Sequence, residues 1–306
     1  MIRFVATRIL EAIPVLFVIV TLVFFMARVA PGGPFDTERS VSPEILKNLN
    51  AYYHLDAPLY QQYVDYLGGL LHGDLGPSFK NASFSVNELI AIGLPVSLEL
   101  GFYALMVALV IGLAAGVIAS LKPNTFQDYA PMSLAMTGIC IPNFVLGPLL
   151  VLVLALWLGW LPVSGWEGPQ SKVLPAITLG ASYAAYIARL SRSGMIEVLS
   201  QDFIRTARAK GLSEARVVLR HALRGGIQPV VSFLGPAAAG LLSGSFVVET
   251  IFQVPGLGRF FVQAAFNRDY TMIIGTVLFY AVLILLFNLL VDVAQAWLDP
   301  RLRHEL

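Results

Sequence analysis

Long apolar stretches alternate with short polar stretches along most of the chain. A helix that crosses the hydrocarbon core of a bilayer needs about 20 mainly apolar residues. Pro142 and Pro148 interrupt one of the long stretches, so a kink is expected there. The pattern predicts an all-α, polytopic membrane protein with six transmembrane helices. The six segments lie at approximately residues 9–29, 98–121, 132–158, 173–194, 229–249 and 271–295.

The composition supports the same class of protein. Of the 306 residues, 57% are hydrophobic and 13% are charged, whereas a soluble domain has about 25% charged residues. The one cysteine, Cys140, leaves no internal disulfide to expect. Arg3 and Arg8 precede the first apolar segment, but Arg28 stands where a signal-peptide cleavage site needs small residues. An uncleaved first span is therefore predicted.

Charged residues are unevenly distributed, and their distribution predicts the orientation. Seven acidic and three basic residues lie between Pro31 and Pro95, whereas eight basic and three acidic residues lie between Arg189 and Arg224. Cytoplasmic loops of membrane proteins are enriched in Lys and Arg, so the basic stretch and both termini are predicted to be cytoplasmic. The predicted divisions are residues 1–30 as an N-terminal transmembrane helix, 31–96 as an outer segment with short helices, and 97–306 as a transmembrane core of five helices. This core contains a cytoplasmic loop at about 195–228, which we call the basic insert.

The outer segment contains two short amphipathic patterns. Ser42 can cap a helix that begins at Pro43. The apolar and aromatic positions of the two patterns are Ile45, Leu46, Leu49 and Tyr53 in the first, and Leu59, Tyr63, Tyr66 and Leu70 in the second. These side chains either rest on the membrane interface or form a docking platform for an outside partner, and the pattern does not separate the two interpretations.

The basic insert contains the stretch RTARAKGLSEARVVLRHALR, residues 205–224. Ser200 can cap a helix that runs to about Lys210, and Gly211 is placed to end that helix in a left-handed conformation. Ser213 can cap a second helix. The apolar face expected for the second helix consists of Ala215, Val218, Leu219, Ala222 and Leu223, and its basic face of Arg216, Arg220 and Arg224.

Four roles are compatible with such an insert. It could bind anionic lipid headgroups, or simply satisfy the topology rule. Two helices with arginines could suggest DNA, but both ends continue into membrane spans, so nucleic acid is not expected as a partner. The fourth role is a protrusion that fits a cytoplasmic partner and passes force to the spans.

Several stretches resemble one family. The insert, with RTARAKGL and RHALR, resembles the cytoplasmic EAA loop of membrane subunits of bacterial ATP-binding-cassette (ABC) importers, in the variant of the oligopeptide, dipeptide and nickel permeases. Arg205, Thr206 and Ala207 stand in place of Glu-Ala-Ala, and Gly211 stands at the glycine of the motif. NFVLGPLL, SRSGMIEVL, VVETIFQVPGLGRFFVQAAFNRDY and VDVAQAWLDPRLR resemble the same family. HGDLGPSFK and LPVSGW are most similar to the B subunits of oligopeptide systems.

The resemblance implies a type I ABC importer permease fold and a role as permease subunit of an ATP-driven oligopeptide importer in the bacterial inner membrane. It implies as partners a second homologous permease subunit, two cytoplasmic ABC ATPase subunits and a periplasmic peptide-binding protein. The positions that it assigns to ATPase coupling are Arg205, Thr206, Ala207, Arg208, Lys210, Gly211, Leu212 and Ser213. The positions that it assigns to an outer gate or pathway are Glu249, Pro255, Gly256 and Gly258, with Glu249 open to a second interpretation as an interfacial charge.

Within the insert, Ala207 and Leu212 are expected to supply most of the docking energy by packing on the partner. Arg205, Arg208 and Lys210 could pair with acidic residues of that partner, although surface pairs contribute little.

The chain itself carries no pattern for binding ATP. No Walker A motif and no Gly-Lys dipeptide occur in the sequence, so ATP and Mg²⁺ are expected to be bound by the partner ATPases, and this chain is expected to be non-catalytic and without a cofactor. Its four histidines are scattered, and no metal site is predicted.

Alternative functions follow from the same observations. The resemblance also covers permeases for dipeptides, glutathione or nickel. A secondary transporter or channel would need ionisable residues inside its spans, and the central parts of these six segments have essentially none. Two small-residue pairs, Gly112 with Gly116 and Gly240 with Gly244, permit close helix contact either within this chain or with a partner permease.

Overall fold

A computed structural model describes residues 2–29, 33–35, 43–81, 83–242 and 246–298. This part of the chain is almost entirely helical, and its only β-type pairing is an isolated bridge between Pro77 and Ser85. The chain forms two compact units. The first unit comprises Met1–Val96 and Pro255–Leu285, and the second comprises Ser97–Val254 and Leu286–Leu306.

Fourteen α-helices follow one another along the described part of the chain. They are α1 (Ile2–Val29), α2 (Pro43–Tyr52), α3 (Leu59–Leu71), α4 (Val86–Leu121), α5 (Phe126–Cys140), α6 (Asn143–Leu150), α7 (Pro169–Leu199), α8 (Asp202–Ala209), α9 (Glu214–Arg216), α10 (Leu223–Gly226), α11 (Gln228–Leu242), α12 (Phe246–Ile251), α13 (Leu257–Asn267) and α14 (Tyr270–Leu298). Two π-helical segments continue this series, Val151–Trp157 after α6 and Val217–Ala222 between α9 and α10.

Four helices of the described part are individually long and apolar enough to cross a membrane. They are α1 from Val5, α4, α7 and α14 as far as Leu290. Two bent helix pairs raise the number to six if each pair counts as one span, namely Phe126–Cys140 with Asn143–Trp157, and Glu214–Gly226 with Gln228–Leu242. An all-α, multi-pass fold is thereby confirmed.

The third predicted span differs from a simple rod. The third bends by 114° at Ile141 and Pro142, because a proline disfavours helical backbone in the residue before it, and Ile141 is extended with φ −102° and ψ 116°. The expected kink is therefore a full break. For the fifth predicted span, 229–249, the structure describes helix on both sides of residues 243–245, in α11 as far as Leu242 and in α12 from Phe246. Residues 243–245 lie outside the described part.

The start of α4 packs against α13 and α14 in the first unit. Val86, Leu89 and Ile90 of α4 form one buried cluster with Leu257 and Ala264 of α13 and with Met272 of α14. A Cβ atom at position 93 would lie 2.9 Å from the backbone nitrogen of Leu257. Glycine at this position therefore permits α4 and α13 to approach closely.

Asp269 connects the start of α14 to the loop before α4. Its carboxylate is 2% exposed and accepts hydrogen bonds from Ser78 Oγ at 2.5 Å, the Phe79 amide at 3.2 Å and the Met272 amide at 3.2 Å. The Met272 bond caps α14 at its N-terminus, where a carboxylate also complements the helix dipole. One residue thus fixes two segments of the first unit.

Aromatic residues hold the outer segment to the rest of the first unit. Phe35, Phe79 and Tyr270 form a buried cluster against which Leu49 and Tyr53 pack. The predicted start of a helix at Pro43 is confirmed, whereas its predicted cap, Ser42, lies outside the described residues. Tyr63 OH lies 2.6 Å from Thr21 Oγ1 of α1.

Small residues bring α4 and α7 together in the second unit. A Cβ atom on Gly112 would lie 2.7 Å from the Ala184 carbonyl oxygen, and one on Gly116 would overlap the Ser191 hydroxyl. A side chain on Gly240 would overlap the hydroxyl of Tyr183. These glycines therefore serve packing within this chain. Gly244 lies outside the described part.

A buried ion pair joins α5 to α7. Arg192 Nε and Nη2 each donate to the Asp128 carboxylate at 2.6 Å, and Asp128 is 2% exposed. The Asn124 amide donates to the same carboxylate at 2.8 Å. Arg192 is thus held by a partner rather than extended toward an interface, because the buried carboxylate requires a counter-charge.

Candidate functional site

The basic insert begins where α7 ends. Ser200 closes α7, since its backbone amide and its hydroxyl both bond the Glu197 carbonyl, the hydroxyl at 2.7 Å. The prediction that Ser200 caps the next helix is therefore wrong, because its hydroxyl is already engaged by the preceding turn. Gln201, with extended backbone, occupies the N-cap position of α8 instead.

Gly211 ends α8 in the predicted left-handed conformation, with φ +75°. The Gly211 amide donates to the Arg208 carbonyl at 2.9 Å, and the Leu212 amide donates to the Ala207 carbonyl at 3.4 Å. These two bonds form a Schellman motif, which satisfies carbonyls at the helix C-terminus and turns the chain sharply. Glycine adopts this backbone without the strain of a Cβ atom.

The second half of the insert starts at Ser213 and passes through a π-helical segment. Ser213 has the extended backbone of an N-cap residue, but its hydroxyl makes no capping hydrogen bond. Val217, Val218 and Ala222 are buried, whereas Leu219 is 67% exposed. The predicted apolar face is therefore partly wrong, because the wider π-helical turn changes the angular spacing of the side chains.

The two halves of the insert close over a common apolar core. Ile204 and Ala207 of α8 pack with Val217, Val218 and Ala222 and with Met195 of α7. Leu212 is half-buried against the same cluster. Ala207 is only 7% exposed and therefore has little surface left for a partner, whereas Leu212 is half-buried and keeps part of its side chain exposed. Docking of a partner on Leu212 stays a prediction.

Glycines attach the insert to α7 at very short range. A Cβ atom on Gly194 would overlap the carbonyl oxygen of Gly226, and one on Gly226 would overlap the sulfur of Met195. Backbone contact of this kind leaves little room for the insert to shift on its own. The insert and the end of α7 therefore form one packed body.

Charged residues occupy the outer face of the insert. The exposed members of the predicted coupling set are Arg205, Thr206, Arg208, Lys210, Gly211 and Ser213. Arg208 forms a two-point pair with Glu214 across the turn, with distances of 2.7 Å and 3.3 Å. Arg205 lies 3.3 Å from Asp202. Two apolar side chains also face outward, Phe203 with 48% and Leu219 with 67% exposure.

A cleft of about 740 Å³ lies beside α8. Glu197, Phe203, His221, Arg224 and Gln228 contribute to its wall. The cleft combines an aromatic ring with groups of both charges, so it could receive an amphipathic segment of another protein.

Glu249, assigned by resemblance to an outer gate, is fully buried in the second unit. Ser97 Oγ donates to its carboxylate at 2.9 Å. Its burial within this chain fits neither an interfacial charge nor a direct contact with a cargo peptide, so the gate assignment stays a prediction. The other three gate positions belong to the first unit, where Pro255 is exposed, Gly256 caps α13 and Gly258 lies in its first turn, so the predicted turn ends at Gly256.

Two family models match almost the whole chain. The model described as "Binding-protein-dependent transport system inner membrane component" matches residues 108–304, and a model for the N-terminal part of such membrane components matches residues 1–101. The chain belongs to this family of transport permeases.

Full-length relatives of this permease include two peptide transport proteins. The oligopeptide transport system permease protein OppB of Escherichia coli (strain K12) is 50% identical over 306 residues, with 99% of this chain and 100% of the relative covered. The dipeptide transport system permease protein DppB of Bacillus subtilis (strain 168) is 47% identical over 303 residues, with 99% and 98% covered.

Solved structures show the fold of the permease to be that of ABC importers. An amino acid ABC transporter matches with a TM-score of 0.52 and 21% identity, with 68% of this chain and 92% of that chain covered. The methionine transporter MetNI, in an inward-facing conformation, matches with a TM-score of 0.56 and 18% identity, with 67% and 93% covered. The type I importer fold is confirmed.

The permease contains a polar cluster that the sequence pattern did not predict. Glu99 of α4 accepts hydrogen bonds from Trp166 Nε1 at 3.2 Å and from Lys172 Nζ of α7. The Lys172 ammonium also lies 5.1 Å from the Trp166 ring centroid, within the range of cation–π attraction. A single acid at the edge of an apolar segment is the signal that could have indicated it.

Within the described ranges, no three His, Cys, Asp or Glu side chains come together in a way that could hold a metal ion. The basic insert of the permease is a charged, structured protrusion that is continuous with the long membrane helix α7.

Proposed function

We propose that this permease forms half of the translocation pathway of an ATP-driven peptide importer, and that its basic insert transmits the movement of a cytoplasmic ATPase to the spans. The observation that carries the proposal is the construction of the insert. Its apolar core joins it to α7, while its outer face displays Arg205, Arg208 and Lys210. A helix that inserts into the membrane interface would turn most of its apolar face toward lipid, whereas Phe203 and Leu219 are the exposed large apolar residues of this insert.

The assembly that we propose contains a second homologous permease subunit, two cytoplasmic ABC ATPases and a periplasmic peptide-binding protein. The permease lies in the bacterial inner membrane with both termini cytoplasmic, as the charge distribution predicts. ATP and Mg²⁺ bind to the ATPases, since the sequence has no Walker A motif. The permease itself is non-catalytic and has no cofactor.

Force passes through the insert in three steps. The ATPase contacts the exposed face, around Lys210 and Gly211. The Schellman turn and the Ile204 core move as one body, because interiors packed at this density deform little. Met195 and Gly194 then transfer the movement to α7.

Gly211 occupies the tip of this body. No atom lies within 4 Å of the place where its Cβ would be, so a side chain meets open space rather than this chain. A substitution there is strained by about 1–2 kcal/mol because of the positive φ, and its side chain projects toward the proposed ATPase. The tip is therefore a place where coupling can be broken without destroying the fold.

Gly211→Asp is expected to abolish ATP-dependent peptide uptake into vesicles while the permease still inserts into the membrane. Gly73→Asp is the matched control, because Gly73 has a nearly identical φ of +76°, open space around it and the same type of helix end after α3, but lies outside the insert. Uptake should survive in that variant. Normal uptake by the Gly211→Asp variant would refute the coupling role.

The cargo is proposed from the relatives. The 50% identity to OppB supports oligopeptides, and the 47% identity to DppB makes dipeptides the second candidate. Competition in the vesicle assay separates them, because dipeptides should displace a labelled longer peptide poorly if oligopeptides are the cargo. Strong inhibition by dipeptides alone would favour the second candidate.

A further inference from the structure

The first unit contains a cavity of about 350 Å³ between the end of α1 and the outer segment, which we call the Arg28 cavity. Arg28, Tyr53, Gln62, Tyr66 and Phe79 form part of its wall. Its volume lies within the range of about 300–1,000 Å³ that small-molecule sites occupy. Nothing in the proposed coupling mechanism uses it.

Arg28 is held in a fixed position. Its guanidinium lies 3.6 Å from the centroid of the Phe24 ring, and its Nε donates to Gln62 Oε1 at 3.0 Å. Gln62 is itself oriented, because its amide nitrogen donates to the Leu55 and Ala57 carbonyls at 3.1 Å and 2.8 Å. A guanidinium positioned in advance loses little conformational freedom when it binds a ligand.

Two polar groups of the Arg28 cavity lack partners. Arg28 Nη1 and Tyr66 OH are buried and have no hydrogen-bond partner among the described residues. No acidic side chain of the described part forms an ion pair with Arg28. Buried polar groups are almost always satisfied, so an orphaned pair in one cavity indicates an absent acceptor. Burial raises the pKa of Tyr66, which keeps its hydroxyl protonated and able to donate.

The missing acceptor should be a carboxylate with an apolar or amide group attached. Guanidinium geometry matches planar oxyanions, and the single charge of Arg28 balances one carboxylate rather than a doubly charged phosphate. Tyr53 and Phe79, whose ring centroids are 4.9 Å apart, supply aromatic surface for the attached group. Asp65 also lines the cavity and disfavours a second negative charge.

We infer that the Arg28 cavity binds the C-terminal carboxylate of a peptide, through Arg28 and Tyr66. This inference rests on the proposed function for the peptide, and it adds a recognition site on the permease itself. Such a site would hold the peptide end independently of side-chain sequence, because every uncapped peptide carries this group.

Binding of a dipeptide of leucine, N-acetylated and with a free carboxylate, tests the inference. The complex of permeases and ATPases is placed in phosphatidylcholine nanodiscs without nucleotide and without the external binding protein, and equilibrium dialysis measures affinity. The peptide with the free carboxylate should bind about tenfold more tightly than the amidated peptide, because amidation removes one charge-assisted contact. Arg28→Gln should remove this preference, and Tyr66→Phe should reduce it.

Lys47→Gln is the matched control, because it removes one exposed positive charge from the same unit outside the cavity, and it should leave the preference unchanged. Equal binding of both peptides by the native complex would overturn the inference. So would displacement of the peptide by inorganic phosphate or by phosphatidylglycerol, which would identify an anion or lipid site. If the peptide bound only to a variant with both Asp36→Asn and Glu38→Gln, the native acceptor for Arg28 would be a carboxylate of this chain. The inference would then fail.

Uptake separates this inference from the proposed function. A native complex that imports peptide with ATP but does not distinguish carboxylate from amide refutes only the cavity assignment. A complex that distinguishes the two peptides but shows no ATP-dependent uptake refutes only the importer function.

Discussion

The basic insert and the Arg28 cavity handle positive charge in opposite ways. The insert keeps its arginines at the surface, where Arg208 pairs with Glu214, and fills its interior with side chains such as Ile204. The cavity holds a cation inside, and Arg28 has a buried nitrogen without a partner among the described residues. The first arrangement is suited to rigidity and the second to binding.

The two regions serve different purposes in one chain, since the basic insert is built for stability and the Arg28 cavity for recognition. An apolar core with paired surface charges resists deformation, which an element that transmits movement requires. A buried, unsatisfied cation lowers stability unless a ligand completes it, which is typical of functional sites. Substitutions in the insert should therefore lower stability and coupling together, whereas substitutions in the cavity should change recognition alone.

The largest expected effect is the loss of the insert core. Ile204→Ala should reduce the free energy of unfolding by about 2–5 kcal/mol, because it leaves a cavity at a side chain with no exposure. Leu219→Ala, at a position that is 67% exposed, should change it by less than about 0.5 kcal/mol. Thermal unfolding of the purified complex measures both. Equal stabilities of the two variants would mean that the insert has no tightly packed core.

Gly194→Ala should have the next largest effect, a loss of about 1–3 kcal/mol, because its methyl group meets the backbone of Gly226. Gly225→Ala is its control, since the nearest atom there is a Val198 methyl at 3.2 Å, which can move. Hydrogen exchange of α8 should accelerate in the first variant and remain unchanged in the second. Unaltered exchange in Gly194→Ala would contradict close attachment to α7.

Arg28→Met tests the prediction that the Arg28 cavity contributes little to stability. The free energy of unfolding should stay within about 1 kcal/mol of the native value, because the variant removes a half-buried charge that has no acidic partner among the described residues, while it loses the Gln62 bond and the contact with the Phe24 ring. Thermal unfolding without peptide provides the measurement. A loss comparable with that of Ile204→Ala would mean that Arg28 holds the first unit together.

The smallest expected effect concerns the surface pair of Arg208 and Glu214. Both side chains are substantially exposed, at 43% and 65%, so a double-mutant cycle with alanine should give a coupling energy of about 0.2–1 kcal/mol. A larger value would show that the pair, rather than the core, fixes the turn at Gly211.

Much of the fold follows from local rules that a sequence displays. Apolar length predicts the spans, and the position of Gly211 after a helical pattern predicts a left-handed helix end. Both features depend on residues that are close together in the sequence. The sequence predicts the Pro142 break only as a kink, since its size depends on how α5 and α6 pack.

Long-range contacts account for what the sequence could not predict. Asp269 bonds Ser78 and Phe79, and Arg192 bonds Asp128, across separations that no local pattern reveals. The inward direction of Ala207 does not follow from the sequence, because the π-helical segment and the Gly194 contact together decide which face of the insert is buried.

Cross-linking in the assembled transporter tests the central claim most directly. In a Cys140→Ser background, Lys210→Cys places a thiol on the exposed tip of the insert, and Ala207→Cys places one in its core. A short thiol-reactive cross-linker should join the first variant to the ATPase, with a yield that changes on ATP addition, and should leave the second unmodified. Cross-linking of neither variant to the ATPase, with labelling of the tip by a lipid-soluble reagent, would contradict the account.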